Sequence, residues 1–123
     1  MIAVPRANRG PGWLGLLALV TCGMWTCFPR TAGAQEPVSF PTSDGGIIYG
    51  SLYGNGDHAV LLAHGGRFNK ESWTEQARAL AAAGFRVLAI DFRGYGESRG
   101  PGDADPLSAP LRLDILAGVR YLR

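Results

Sequence analysis

The chain has 123 residues, 46% of them hydrophobic, and a formal charge of +2, a length that fits one domain of ordinary size. Arg6, Arg9 and Arg30 lie in the first 34 residues without any acid, so residues 35–123 hold nine basic against ten acidic side chains, a charge of −1. With no basic cluster left, nucleic-acid binding has no electrostatic support, and small-molecule chemistry is the expectation.

The first residues read as a targeting segment. Arg6 and Arg9 precede an uncharged stretch, 10–29, whose most apolar part is Trp13 to Val20, and Ala32 and Ala34 form a small-x-small pattern. Basic start, short apolar core and Ala-x-Ala are the layout of a secretory signal peptide, assigned to residues 1–34, with export to the periplasm or the extracellular space. The alternative is an uncleaved N-terminal anchor. A spanning helix needs about 20 mainly apolar residues, and Pro11, Pro29 and several glycines cut the usable stretch short. Leu19-Val20-Thr21-Cys22 matches a lipid-attachment box only loosely, because Thr21 stands where a smaller residue is usual. Cys22 and Cys27 both fall in the leader, so the mature part can form neither a disulfide nor a thiolate metal site. No metal and no cofactor are expected.

Residues 35–58 predict a β-hairpin. Val38 to Thr42 form one arm, with Pro41 suiting an edge strand; Ser43-Asp44-Gly45-Gly46 is a turn signal and Ile47 to Tyr53 the return arm. His58 follows the next turn, Gly54 to Asp57, as a solvated residue. Ala59-Val60-Leu61-Leu62-Ala63 is an unbroken apolar run that reads as a strand buried on both faces. It stops at His64-Gly65-Gly66-Arg67, where the two glycines allow a sharp turn and a close approach to whatever lies beyond the strand. In open α/β sheets ligands bind at that end of a strand.

Ser72-Trp73-Thr74-Glu75 has the spacing of a capping box. Trp73, Ala77, Leu80 and Ala81 then form one apolar stripe of a helix that Gly84 ends. Phe85 to Ile90 is a second buried strand, which completes a βαβ unit with parallel strands. After the turn-rich loop 91–106, a second helix is predicted from about Ser108, with Leu111, Ile115, Leu116, Val119 and Leu122 on its apolar face.

Gly96-Glu97-Ser98-Arg99-Gly100 fits the Gly-x-Ser-x-Gly string of a nucleophile elbow. That motif works only between a strand and a helix, and here Arg93-Gly94-Tyr95 precede it and Pro101-Gly102-Asp103 follow. Ser98 is therefore not read as a nucleophile. Gly94-x-Gly96 also lacks the third glycine and the immediate helix of a dinucleotide site, since Arg99 holds that position. Asp91, at the end of a parallel strand, reads as a carboxylate that orders the loop through backbone amides or Arg93. His64 would need a nucleophile and an orienting acid to act as a base; it is read instead as packing at the strand end. The amides of the His-Gly-Gly turn have the clearest functional case, because they can face a developing negative charge.

A hairpin, an apolar strand ending in His64-Gly65-Gly66-Arg67, a helix, and then Val87-Leu88-Ala89-Ile90-Asp91-Phe92-Arg93-Gly94-Tyr95-Gly96-Glu97-Ser98 together resemble the N-terminal half of an α/β-hydrolase. The resemblance covers residues 38–123 and implies an α/β fold with an incomplete hydrolase sheet: a hairpin, then β-α-β-α with parallel strands, over residues 35–123. It implies that one oxyanion-hole amide comes from Gly66, with Arg67 the neighbouring candidate, and that His64, Gly65 and Asp91 support the site. In that family the nucleophile, acid and histidine follow the next strand, so the resemblance places the whole triad beyond residue 123. The expected function is the N-terminal part of an exported serine hydrolase that cleaves ester-like bonds of small molecules, with no turnover by this chain alone. The alternative is a non-catalytic exported fragment that associates through an open sheet edge.

Overall fold

A computed structural model describes residues 34–123. The segment read as a signal peptide, apart from Ala34, and both cysteines lie outside the described residues.

The hairpin forms as expected: β1 (Glu36–Pro41) pairs antiparallel with β2 (Ile47–Tyr53), Phe40 opposite Ile48. β3 (Ala59–Ala63) leads through the His-Gly-Gly turn to a short 3₁₀ helix (Lys70–Trp73), α1 (Thr74–Ala82) and β4 (Arg86–Ile90). α2 (Leu111–Leu122) closes the described chain. The sheet order is β1-β2-β4-β3, with β3 parallel and β2 antiparallel to β4. Ala63 pairs with Ile90, so β3 and β4 end level and their following loops emerge side by side. That register is what assembles the site.

β4 is the buried centre: Val87, Leu88, Ala89 and Ile90 are all fully buried. Burial of each large apolar side chain there contributes roughly 1.5–3 kcal/mol. Strand alternation sends Leu88 and Ile90 to one face, against Phe40, Ile48, Ala117 and Leu122, and Val87 and Ala89 to the other, against Tyr53, Ala77 and Ala81. α2 covers the first face and α1 the second. β3 departs from the expectation of burial on both faces. Only its β4 side is paired among the described residues, and Val60 to Ala63 are half-buried.

Two helix starts also differ from expectation. The capping box at Ser72 does not form, because the chain enters α1 through the 3₁₀ turn, which already engages those residues. The Ser72 hydroxyl donates to the Asn69 carbonyl (2.7 Å) and the Thr74 hydroxyl to the Glu71 carbonyl (2.8 Å), and no side chain caps α1. Its end does follow expectation: Gly84 takes a φ of +96° and donates its amide to the Ala81 carbonyl. α2 starts at Leu111, behind Pro110, and not near Ser108, whose hydroxyl binds Asp105 Oδ2 at 2.7 Å. Its inward face is Asp114, Ala117, Gly118 and Leu122, while Leu116 is 47% exposed. The rotation has two causes. Asp114 turns inward to meet Arg93, and Gly118 lets α2 approach the sheet so closely that a Cβ there would lie 3.0 Å from Leu61 Cδ1.

Candidate functional site

The two loops at the C-terminal ends of β3 and β4 meet through His64. Its ring is buried, with Phe92 and Tyr95 edge-on at centroid distances of 5.2 and 4.7 Å. Nδ1 lies 2.8 Å from the Gly65 carbonyl, which can only accept, so Nδ1 carries the proton. Nε2 then accepts from the Phe92 amide at 3.1 Å. Both nitrogens are occupied by backbone, which ties the β3 turn to the β4 loop and leaves no lone pair for general-base work.

Asp91, 1% exposed, lies 3.8 Å from His64 Nε2. Its partners are the Lys70 amide to Oδ1 (2.7 Å) and the Lys70 ammonium to Oδ2 (2.8 Å). The expected alternative partner, Arg93, points elsewhere. Its Nε and Nη2 donate to Asp114 Oδ1 at 2.9 and 2.7 Å, and Nη1 donates to Asp44 Oδ2 and the Pro101 carbonyl, each at 2.7 Å. Burial opposes the charge on Lys70, but its bonds to Asp91 and Glu71 outweigh that and raise its pKa above the ordinary lysine value. The bonds from Arg93, then from Thr42, hold Asp44 well below the usual carboxylate range. Arg93 is raised in turn, first by Asp44 and then by Asp114. These acids and bases are mutually committed.

Ser98 is fully buried. Its hydroxyl donates to the Asp91 carbonyl (2.8 Å) and accepts from the Tyr49 amide (2.9 Å), fastening the loop under β2. Gly96 has a φ of +52°, and a Cβ on it would sit 2.5 Å from Asp91 Oδ2, so glycine is required there by both conformation and space. Gly65 and Gly66 differ: neither has a positive φ, and a Cβ on either would meet only Phe68 at 3.6 Å or the Tyr95 hydroxyl at 3.8 Å. The sharp turn expected at these glycines needs no left-handed residue.

The turn 64–67 is held by its carbonyls. The Gly65 oxygen binds His64 Nδ1 and the Phe68 amide (3.0 Å), and the Gly66 oxygen accepts from the Tyr95 hydroxyl (2.8 Å). In a trans peptide the N–H points opposite to the carbonyl, and the described chain has no cis bond. The Gly66 and Arg67 amides are thereby turned away from those tethers, on exposed residues, and neither donates to any described group. An open groove of about 360 Å³ lies elsewhere, between β1, β2 and the 3₁₀ helix, lined by Ser39, Tyr49, Ser51, Lys70, Glu71 and Glu97. It shares Tyr49, Lys70 and Glu71 with the contacts described above. Among the described residues no group of acids and histidines is spaced to hold a metal, and no helix is long and apolar enough to cross a membrane.

Tyr95, Lys70, Asp44 and Asp114 were not singled out by sequence reasoning. One signal was present: Asp114 interrupts an apolar run, and a charge on a helix's inward stripe demands a buried partner.

Residues 58–117 match the family model of the α/β-hydrolase fold. The bifunctional epoxide hydrolase 2 of Rattus norvegicus is 47% identical over 121 residues, an alignment covering 86% of this chain and 22% of that protein. An esterase of Pyrococcus furiosus superposes with a TM-score of 0.63 at 28% identity, over 72% of this chain and 36% of the other. An epoxide hydrolase of an endophytic Streptomyces gives 0.58 at 38% identity, over 76% and 27%. This chain belongs to the α/β-hydrolase fold family. It spans less than a quarter of the length of the rat relative and about a third or less of these structures.

Proposed function

We propose that this chain is the oxyanion-binding N-terminal part of an exported hydrolase acting on small molecules whose reaction places negative charge on oxygen. Esters, as in the Pyrococcus relative, and epoxides, as in the rat and Streptomyces relatives, both do so. The observation that carries the reading is the pair of unengaged amides at Gly66 and Arg67, beyond the end of a parallel strand. One such donor lowers a barrier by about 2.7–4 kcal/mol. No described residue is placed as a nucleophile with an adjacent base: Ser98 is buried on backbone partners and His64 has no free nitrogen.

The purified chain is therefore expected to show no hydrolysis of a p-nitrophenyl ester or an aryl epoxide. Turnover abolished by Ser98→Ala would overturn that. Export rests on the leader pattern, and a secreted product whose N-terminus is Gln35 is the expected outcome in a bacterial host; retention of Met1 in the membrane would sink it.

A second reading, association through the outer edge of β3, is favoured by the half-buried, unpaired side of that strand among the described residues. A monomeric, cooperatively unfolding protein in sedimentation would count against it.

A further inference from the structure

We infer that Tyr95 is a positioning residue for the turn 64–67, presenting the Arg67 amide as a second donor beside that of Gly66. Each amide has its own tether. The peptide between Gly65 and Gly66 is held by His64 Nδ1 and the Phe68 amide on the Gly65 oxygen, which fixes the Gly66 N–H. The peptide between Gly66 and Arg67 has one described bond on its oxygen, the 2.8 Å donation from the Tyr95 hydroxyl. Gly66 has no side chain to restrict its backbone, so without that bond the second peptide is free to rotate while the first stays held. Tyr95 is itself well placed for the task. It sits in the loop after β4, its ring is braced edge-on against His64 at 4.7 Å, and its own amide donates to the Phe92 carbonyl. The β3 turn thus has one donor set from within and a second set from the neighbouring strand's loop. What the second amide binds rests on the oxyanion reading above; the tether does not.

The test compares isotope-labelled wild-type chain with Tyr95→Phe, which keeps the ring against His64. In the wild type the Arg67 N–H is expected to have a rigid-backbone order parameter of about 0.85. In Tyr95→Phe it is expected to fall below about 0.6, with Gly66 unchanged. Titration with methylphosphonate is expected to shift both amides in the wild type and Gly66 alone in the variant. An Arg67 amide that stays rigid in Tyr95→Phe, or a Gly66 amide that loosens equally, overturns the assignment. If Tyr95→Phe does not fold, the wild-type Arg67 N–H decides: an order parameter of about 0.85 supports the tether and one below about 0.6 overturns it. If the order parameters change as expected but methylphosphonate shifts neither wild-type amide, the positioning role holds and the oxyanion reading falls.

Discussion

Arg93 Nη2 lies 2.7 Å from Asp114 Oδ1, and neither side chain is exposed to solvent at all. This pair joins the loop after β4 to α2, and the Arg93 amide also donates to Asp114 Oδ2 at 3.0 Å. Removing one member of a buried pair leaves an uncompensated charge and costs about 3–5 kcal/mol. Asp114→Ala is expected to lose that much in urea unfolding, and Arg93→Met combined with Asp114→Leu to recover part of it. A loss under about 1 kcal/mol for Asp114→Ala, the range of an exposed pair, would show that the pair is not closed in solution.

Acid sensitivity should be written in Asp44. Arg93, and after it Thr42, hold its carboxyl well below the ordinary range in the folded chain. An unfolded aspartate titrates near about 3.9. The stabilisation is therefore complete above that value and is lost as pH falls from there through the folded pKa. Asp105, lowered by the Ser108 hydroxyl and the Leu107 amide, adds in the same direction. Unfolding free energies measured from neutral pH downwards should drop below about pH 4, and Asp44→Asn should flatten that drop. An unchanged acid limb in the variant would contradict the assignment.

The glycines of the two loops should respond differently to alanine. Gly66→Ala adds a Cβ 3.8 Å from its nearest neighbour at ordinary φ, and its melting temperature is expected to stay near wild type. Gly96→Ala forces a left-handed alanine against Asp91 Oδ2 and should cost about 1–3 kcal/mol. Equal costs at both positions would refute the comparison.

For neutral His64 the tautomer is fixed by its two bonds. Imidazole nitrogen shifts should report a protonated Nδ1 and a bare Nε2. The opposite tautomer would break the link between the Phe92 amide and the β3 turn.

The hairpin, the βαβ unit and the stop at Gly84 were legible because each rests on local pattern: alternation, period and a glycine at φ of +96°. The capping box was misread because Ser72 to Glu75 satisfy the same spacing inside a 3₁₀ turn, which sequence does not distinguish. The face of α2 was misread because apolar periodicity ignores Asp114, whose inward turn depends on Arg93, 21 residues earlier. At the site, the turn 64–67 was legible as a glycine turn at a strand end. Its tethers were not, because Tyr95 and Gly66 are 29 residues apart and meet only through the β3–β4 register.

The guanidinium of Arg93 has a consequence in time as well as in energy. It gathers Asp44, 49 residues upstream, the Pro101 carbonyl, and Asp114, 21 residues downstream. Such distant segments close late, after local helices and the hairpin have formed. A contact made after the transition state slows escape from the native state and leaves its approach unchanged. Arg93→Met should therefore raise the unfolding arm of a chevron plot and spare the folding arm; a slower folding arm would place the junction in the nucleus. A response confined to the unfolding arm would make the arginine of this loop a latch, set last and released first.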